Sequence, residues 1–274
     1  MGRRKSIATG GELFASRLRI ISKTATVLMN KISPSSEGRF RFLIQERIKN
    51  FWGYGNLDSD VWFVGMEEGC DGSIPKIIQR FESTSRGEVF DIVADMQGQE
   101  DHLALFKENA SLQKTYRRLI YFLLYIQTKR EPTPDEMRAY QINHFGRKNN
   151  NHAVLELMPM ACHSMHEKDW VYGGVDIEGF ASKKEYLKKY APLRVDLLRE
   201  LIRTHKPRIV IFYVMSYRKY WSLIPSVPFE EVIKGKLYIA KDDSTAYAVV
   251  PHSVAHGMSN NDWKQIAETI LTTI

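Results

Sequence analysis

The hydrophobic pattern of the chain contains four short apolar runs that are separated by stretches of helical periodicity. The runs cover about residues 60–65, 153–159, 208–214 and 246–251. Each is rich in β-branched and aromatic residues, and uninterrupted apolar runs of this kind are typical of central strands covered on both faces. Strands that alternate with helices indicate a parallel sheet between two helical layers. The pattern therefore predicts an α/β fold: a three-layer α/β/α sandwich with a central, mainly parallel, four-stranded sheet.

The helical stretches between and after these runs begin with recognisable start signals. Residues 112–127 are strongly apolar, and Ser182-Lys183-Lys184-Glu185 has the spacing of a capping box at the start of a long helix toward His205. Ser259-Asn260-Asn261-Asp262 has the same spacing before the last helical stretch. Residues 237–240 are expected to form a hairpin with the fourth apolar run.

The first 50 residues differ from the rest of the chain in charge. They hold 11 Lys or Arg and 3 Asp or Glu, whereas the whole chain carries a net charge of +7, so the remainder is near neutral. A helix is predicted over about 11–31, and a second, basic amphipathic segment over 39–50 follows a break at residues 33–36. The predicted domains are a basic helical N-terminal extension, residues 1–50, and an α/β domain, residues 51–274.

Basic side chains at two places are predicted to contact a polyanion such as the phosphates of DNA. One group lies in the segment 39–50, and the other follows the third apolar run, where cations and aromatic residues mix. The candidate phosphate contacts are Arg39, Arg41, Arg47, Lys49, Arg218 and Lys219. An ordinary solvated surface helix is the alternative interpretation of residues 39–50.

Composition excludes several classes of protein. Cys70 and Cys162 are the only cysteines, too few for a disulfide framework or a four-thiolate metal cluster. No window approaches about 18 uninterrupted apolar residues, and Arg3-Arg4-Lys5 is followed by polar residues rather than by an apolar signal core. The chain also lacks a Gly-rich phosphate-binding loop. The expectation is a soluble, cytoplasmic, monomeric protein without a metal or a cofactor.

Two of the apolar runs end in polar loops that carry candidate catalytic groups. Val61-Trp62-Phe63-Val64 runs into Gly65-Met66-Glu67-Glu68-Gly69, and Val249-Val250-Pro251 runs into His252-Ser253-Val254-Ala255-His256-Gly257-Met258. In open α/β sheets, ligands bind where strands end at the carboxyl edge. Because one loop offers carboxylates and the other an imidazole, the two loops describe a candidate reaction centre.

The two loops resemble the signature motifs of the uracil-DNA glycosylase superfamily. In that family the first strand ends in a short Gly-x-x-x-Gly or Gly-Gln-Asp-Pro type loop, and the last strand ends in a His-Pro-Ser-Pro type loop. The resemblance covers roughly residues 51–274 and implies a monofunctional DNA glycosylase that acts on a flipped-out base. Two departures are clear: Glu68 replaces the usual Pro, and Val254-Ala255 replaces the Pro-containing turn. The branches with a four-cysteine iron–sulfur cluster do not fit two cysteines.

The resemblance also implies roles for individual residues. Glu67 falls where the catalytic Asp or Asn stands, and a carboxylate there stabilises positive charge on the sugar and orients a water. Glu68 is the alternative catalytic carboxylate. His252 supports the negative charge on the departing base. The remaining base-binding positions of the first loop are Gly65, Met66 and Gly69.

The second loop also offers candidates for the side chain that fills the gap left by an extruded nucleotide. His256 and Met258 follow His252 at a suitable place, and inserted wedge side chains commonly unstack bases. The alternative for Met258 is a hydrophobic staple beside the Ser259 cap.

Glu156 is the one acidic residue inside the second apolar run. A buried unpaired carboxylate is costly, so Glu156 is expected to face solvent, a cation or a ligand. In several branches of the superfamily the corresponding position holds an Asn that reads the uracil edge. A carboxylate suits the N4 amine of cytosine and repels the O4 of uracil unless it is protonated. The resemblance together with Glu156 therefore predicts excision of a cytosine-type base.

A reader of cytosine must also require a mark, because removal of ordinary cytosine would destroy a genome. The prediction is therefore a modified cytosine, hydroxymethylated or glucosylated as in phage DNA, and a role in antiviral defence. One alternative is an ordinary uracil-DNA glycosylase in base excision repair. Another is a nucleic-acid-binding module with an inactive catalytic loop. A nucleotide-binding α/β enzyme is a further alternative, disfavoured by the missing phosphate loop.

Overall fold

The structure is a computed structural model, and it describes residues 36–164 and 166–274. The helix predicted over 11–31 lies outside the described residues. Residues 40–274 form one compact unit, whose boundary falls between residues 39 and 40.

One mixed sheet of eight strands forms the centre of this unit. The strands are β1 (Gly53–Gly55), β2 (Val61–Gly65), β3 (Val89–Phe90), β4 (His152–Glu156), β5 (Ile209–Phe212), β6 (Glu230–Ile233), β7 (Leu237–Lys241) and β8 (Ala246–Val249). Their order across the sheet is β3-β1-β4-β2-β5-β8-β7-β6. The chain is therefore an α/β protein, as the sequence pattern predicts.

The four apolar runs correspond to the four central strands β4, β2, β5 and β8, which pair in parallel. The prediction of a four-stranded sheet is wrong, because β1 and β3 extend one edge and β7 and β6 the other. Of these outer strands, β1 and β3 are only three and two residues long and β6 is largely exposed, so these three give weak hydrophobic signals. The expected hairpin is confirmed, since β7 pairs with β8 in the antiparallel sense.

Eight α-helices accompany the sheet in the described part of the chain. They are α1 (Ser36–Asn50), α2 (Ile74–Ser83), α3 (Glu100–Leu103), α4 (Lys114–Thr128), α5 (Pro134–Asn143), α6 (Lys183–His205), α7 (Arg218–Trp221) and α8 (Asn260–Thr273). Two of the predicted starts are confirmed: the Ser182 side chain accepts from the N–H of Glu185, and Ser259 forms a capping box with Asp262. These caps satisfy helix N–H groups that otherwise lack partners.

Alternate side chains of the central strands pack into two hydrophobic clusters on opposite faces of the sheet. Trp62 and Val64 pack in a cluster with side chains of α1, α2 and α6. Val61 and Phe63 pack in a second cluster with side chains of α4, α5 and α8. Since neighbouring residues of a strand point to opposite faces, helices cover both sides of the sheet.

Helix α1 supplies core side chains from residue 40 onward. Phe40, Leu43, Ile44 and Ile48 are buried in the first cluster. The domain boundary predicted after residue 50 therefore falls inside a packed segment, whereas the compact unit begins at residue 40. A helix with one buried face contributes to the hydrophobic core as well as to the surface.

None of the helices within residues 36–164 and 166–274 combines the length and the apolar character that crossing a bilayer requires.

Candidate active site

A cavity of about 680 Å³ opens where the central parallel strands end in loops. It lies at the carboxyl edge of the sheet, where α/β proteins bind ligands. Of the residues singled out from the sequence, it gathers Met66, Glu67, Glu68, Gly69, Glu156 and His252. Tyr213, directly after β5, joins them in the wall. The two loops and the second apolar run thus meet in one place.

Gly65 makes room for the buried end of this cavity. It stands opposite Glu156 in the register of β2 and β4. A Cβ atom at Gly65 would lie 2.4 Å from the hydroxyl of Tyr213 and 2.5 Å from Oε2 of Glu156. Glycine therefore permits two polar side chains from the neighbouring strands to converge above β2.

Glu156 is buried, and within the described residues its carboxyl group makes one hydrogen bond, which the Tyr213 hydroxyl donates to Oε1 over 3.3 Å. Its Oε2 is buried and has no hydrogen-bond partner among the described residues. Burial, with a contribution from the charge of Glu68, raises the pKa of Glu156 well above its usual value. Such a shift favours the neutral carboxyl form, which offers one O–H donor together with acceptor oxygen.

Glu67 is a buried carboxylate that a lysine holds from one side. Its Oε1 accepts from Nζ of Lys183, the first residue of α6, and the two side chains are 6 % and 3 % exposed. Lys183 Nζ also donates to the backbone oxygen of Ser164 over 2.9 Å. The second oxygen, Oε2, is buried without a hydrogen-bond partner within residues 36–164 and 166–274. Burial raises the pKa of Glu67, and the nearby Lys183 opposes this shift.

Glu68 differs from its neighbour, because both of its oxygens are engaged. The Tyr54 hydroxyl donates to Oε1 over 2.5 Å, and Arg47 donates to Oε2. Arg80 approaches Oε1 to 3.7 Å. Burial alone would raise the pKa of Glu68, but the two arginines outweigh it and lower the pKa below its usual value. Glu68 is thus an ionised anchor within an ion-pair network.

His252 is half-buried in the cavity wall opposite these carboxylates. Its Nδ1 accepts from the N–H of Val254 over 3.2 Å. Burial lowers the pKa of His252, so the ring is neutral near pH 7. A neutral imidazole that accepts at Nδ1 carries its proton at Nε2 and can donate there. The ring centre lies 5.9 Å from that of Tyr213.

The prediction that Arg47 contacts phosphate is wrong, because its side chain is buried. Its side chain is 1 % exposed, with the guanidinium 3.4 Å from the ring centre of Phe51 and 4.4 Å from that of Phe81. Besides the bond to Glu68, it donates to the backbone oxygen of Pro159 over 2.7 Å. A guanidinium enclosed in this way is unavailable to a phosphate. The core location follows from its position on the packed face of α1.

The other predicted phosphate contacts lie on the surface. Arg39 is exposed, Arg41 is 3.0 Å from Asp176, and Lys49 is 3.6 Å from Glu46. The remaining two, Arg218 and Lys219, are exposed and lie over the rings of Tyr238 and Tyr220 at 4.3 and 4.8 Å. These five side chains remain candidates for contact with a polyanion, and the last four have only a weak surface ion pair or an aromatic plane to give up.

The structure separates the two wedge candidates of the second loop. His256 is exposed, whereas Met258 is partly buried and packs in the same cluster as Trp263 of α8. The backbone oxygen of Met258 also accepts from Arg118 over 3.2 Å. This packing favours the hydrophobic-staple alternative for Met258. Val254, which is 51 % exposed, is an apolar candidate that the sequence interpretation did not include.

Lys183 and Tyr213 are site residues that the sequence interpretation also missed. Lys183 had a signal of its own, because a cation in the first turn of a helix opposes the helix dipole and suggests a dedicated anionic partner. Tyr213 had none beyond its place after an apolar run.

Among the residues that the structure describes, no group of three His, Cys, Asp or Glu side chains is arranged to hold a metal ion. Neither a protein-family model nor a curated protein matches this chain.

Proposed function

We propose that this protein is a monofunctional DNA glycosylase that hydrolyses the N-glycosidic bond of a flipped-out, modified cytosine. The observation that carries the proposal is the meeting of Glu67, His252 and Glu156 in one cavity. They supply a buried carboxylate, a neutral imidazole donor and a neutral carboxyl group. The two loops that hold Glu67 and His252 are those that resemble the glycosylase motifs.

In the proposed reaction, Oε2 of Glu67 faces the sugar side of the bond. It stabilises the positive charge that develops on the sugar and accepts a proton from the water that adds to C1′. A raised pKa suits this role, since it makes the ionised carboxylate a stronger base. The C1′–N bond breaks, and the base departs with the bonding electrons. The Nε2–H of His252 stabilises the resulting anion by donating a hydrogen bond.

Glu156 is proposed to read the base in its neutral form. Oε2–H donates to N3 of cytosine, while Oε1 keeps acceptor capacity for the N4 amine. With the proton on Oε1 instead, the same neutral group matches uracil. Oε2 then accepts from N3–H, and Oε1–H donates to O4. The Tyr213 hydrogen bond favours the cytosine arrangement, with Oε1 as the acceptor, but does not forbid the uracil arrangement. Glu156 alone therefore does not reject uracil, and an ordinary uracil-DNA glycosylase remains the second candidate.

Replacing Glu156 by Gln tests the neutral form. A glutamine amide also offers one acceptor and a donor, so Glu156→Gln is expected to keep kcat/KM within about tenfold. Leucine lacks both groups, so the kcat/KM of Glu156→Leu is expected to fall at least about a hundredfold. A loss of this size is expected when the polar edge of the base is left without hydrogen-bond partners. A loss in Glu156→Gln as large as in Glu156→Leu would show that the ionised form is required.

Replacing His252 by Ala tests the leaving-base role. The variant is expected to lose about a hundredfold in single-turnover excision, the usual cost of removing one oriented donor to a developing anion. Because the His252 side chain is half-buried and accepts a single hydrogen bond within the described residues, the melting temperature of the variant should change little. A large fall in melting temperature would instead identify a structural histidine.

DNA as the partner, a monomeric state, a cytoplasmic location and a role in antiviral defence belong to the same proposal. The experiment that tests the function is incubation of the protein with oligonucleotides that carry cytosine, modified cytosines or uracil. Alkali-labile abasic sites are expected in the modified-cytosine strands. A protein that binds all of these strands and produces no abasic site would be an inactive nucleic-acid-binding module.

A further inference from the structure

The cavity extends beyond the residues proposed to act on the base. Its far wall comes from α2, α3 and the segment before α3, with Gln79, Gly98, Gln99 and His102 among the lining residues. The whole cavity of about 680 Å³ is about twenty times the ~30 Å³ that one water occupies in the liquid. A single pyrimidine ring would fill only part of it. The far wall therefore has space for a group attached to the base.

Gln99 presents an unused hydrogen-bond donor in that far wall. Its side chain is 7 % exposed, and its Nε2 has no hydrogen-bond partner in the described part of the chain. The backbone fixes the residue on both sides, because Gln99 N–H donates to Met96 and Gln99 C=O accepts from His102, over 3.1 and 3.0 Å. The residue before Gln99 is also fixed, because Nε2 of Gln79 donates to the backbone oxygen of Gly98 over 2.8 Å. A buried donor that lacks a partner within the protein requires an acceptor from a bound water or a ligand.

The charges around this wall favour a neutral ligand group. Lys76 lies 2.9 Å from Asp71 and 2.5 Å from Asp101. Arg80 donates to the backbone oxygen of Gly69 over 3.0 Å and lies near Glu68. Each of these cations already has anionic or carbonyl partners. An anionic substituent would compete with those partners and meet the carboxylates, whereas a hydroxyl group would not.

Gly69 lines the cavity and leaves open space beside the loop. It follows the catalytic loop and adjoins α2 through the bond from Arg80. A Cβ atom built at Gly69 would meet no atom within 4 Å. A substituent on a bound base therefore meets no steric obstacle at Gly69.

From these observations we infer that the Gln99 wall is a subsite for a neutral, polyhydroxylated substituent on the base, of the size of a hexose. Nε2 of Gln99 donates to one of its oxygen atoms. The inference rests on the proposed function for the placement of the base, and it adds which group on the base is recognised and by which residue. The same wall disfavours an anionic substituent.

The test measures binding and excision separately with the full 274-residue chain. Binding is measured in the Glu67→Gln background with two oligonucleotides that differ only in the base, hydroxymethylcytosine or its glucosylated form. The glucosylated strand is expected to bind at least about tenfold more tightly. Gln99→Leu and the nearly isosteric Gln99→Glu should each remove about tenfold of that preference, the size expected for one hydrogen bond. Gln97→Leu, an exposed glutamine of the same segment, is the matched control and should keep it.

The outcomes separate this subsite from the proposed function. Equal affinity for the two strands, or a preference that survives both Gln99 substitutions in folded protein, overturns the subsite even when the native protein releases bases. Hexose-dependent binding that requires Gln99, without base release from any strand, supports the subsite and overturns the glycosylase function. Melting temperatures of the variants identify any loss caused by unfolding.

Discussion

Replacing Glu67 by Gln is expected to lower single-turnover base excision about a thousandfold, within the ~10²–10⁴ range of a positioned acid–base group. The amide cannot accept the proton of the attacking water, and it gives less stabilisation to positive charge on the sugar. Binding to the substrate strand should be largely kept, because Gln occupies the same volume beside Lys183. Rapid-quench measurement of excision, alongside a binding titration, checks both parts.

The neighbouring carboxylate provides the control. Glu68→Gln weakens the ion pairs to Arg47 and Arg80, so its main expected effect is a lower melting temperature. If Glu68→Gln abolished excision at an unchanged melting temperature while Glu67→Gln stayed active, the two roles would be exchanged.

The pH profile of excision gives a second readout for the same carboxylate. The reaction needs ionised Glu67, so the rate should fall as the pH drops through the pKa of Glu67, which burial raises above the usual glutamate value. Lys183 opposes that shift, and Lys183→Met should therefore move the acid limb of the profile to higher pH. Lys183→Arg, which keeps the positive charge, should restore the limb toward its original position.

The second large effect is expected for Arg47→Met, at about 3–5 kcal/mol of unfolding free energy, as for one partner removed from a buried ion pair. The substitution removes the hydrogen bonds to Glu68 and Pro159. It also removes the contacts of the guanidinium with the rings of Phe51 and Phe81. Urea unfolding at about pH 7, where the carboxylates of such pairs are ionised, measures the loss. Arg41→Met removes an exposed pair with Asp176 and should cost less than about 1 kcal/mol.

A surface role for Arg47 predicts a different result. In that case Arg47→Met would leave the unfolding free energy unchanged and flatten the salt dependence of DNA binding by about one unit. Such a pair of observations would contradict the buried network around Glu68.

The central part of the fold could be predicted from the sequence, because its four strands are short, uninterrupted apolar runs buried on both faces, and β7 could be predicted as the hairpin partner of the last run. The outer strands β1, β3 and β6 could not. β1 is only Gly-Tyr-Gly, and β6 is largely exposed with two glutamates. Strand pairing at such edges depends on backbone hydrogen bonds, which the hydrophobic pattern does not report.

The position of the candidate site could be predicted from the sequence, but the ion-pair partners of its carboxylates could not. Loops that follow parallel strands meet at one edge, so the convergence of Glu67 and His252 follows from strand order alone. The sequence pattern does not show that Glu68 pairs with Arg47 whereas Glu67 pairs with Lys183. These pairs join residues 21 and 116 positions apart. A count of charges likewise does not distinguish the buried Arg47 from the exposed basic residues of the same segment.

The most direct measurement identifies what leaves the DNA. Native protein and the Glu67→Gln variant are incubated with DNA that contains glucosylated hydroxymethylcytosine, hydroxymethylcytosine or uracil, and the released molecules are identified by mass spectrometry. Native protein is expected to release an intact modified cytosine base, to leave an abasic site in a strand that breaks only with alkali, and to show little action on uracil. Release of uracil with both modified cytosines untouched would contradict the account, as would the absence of any released base.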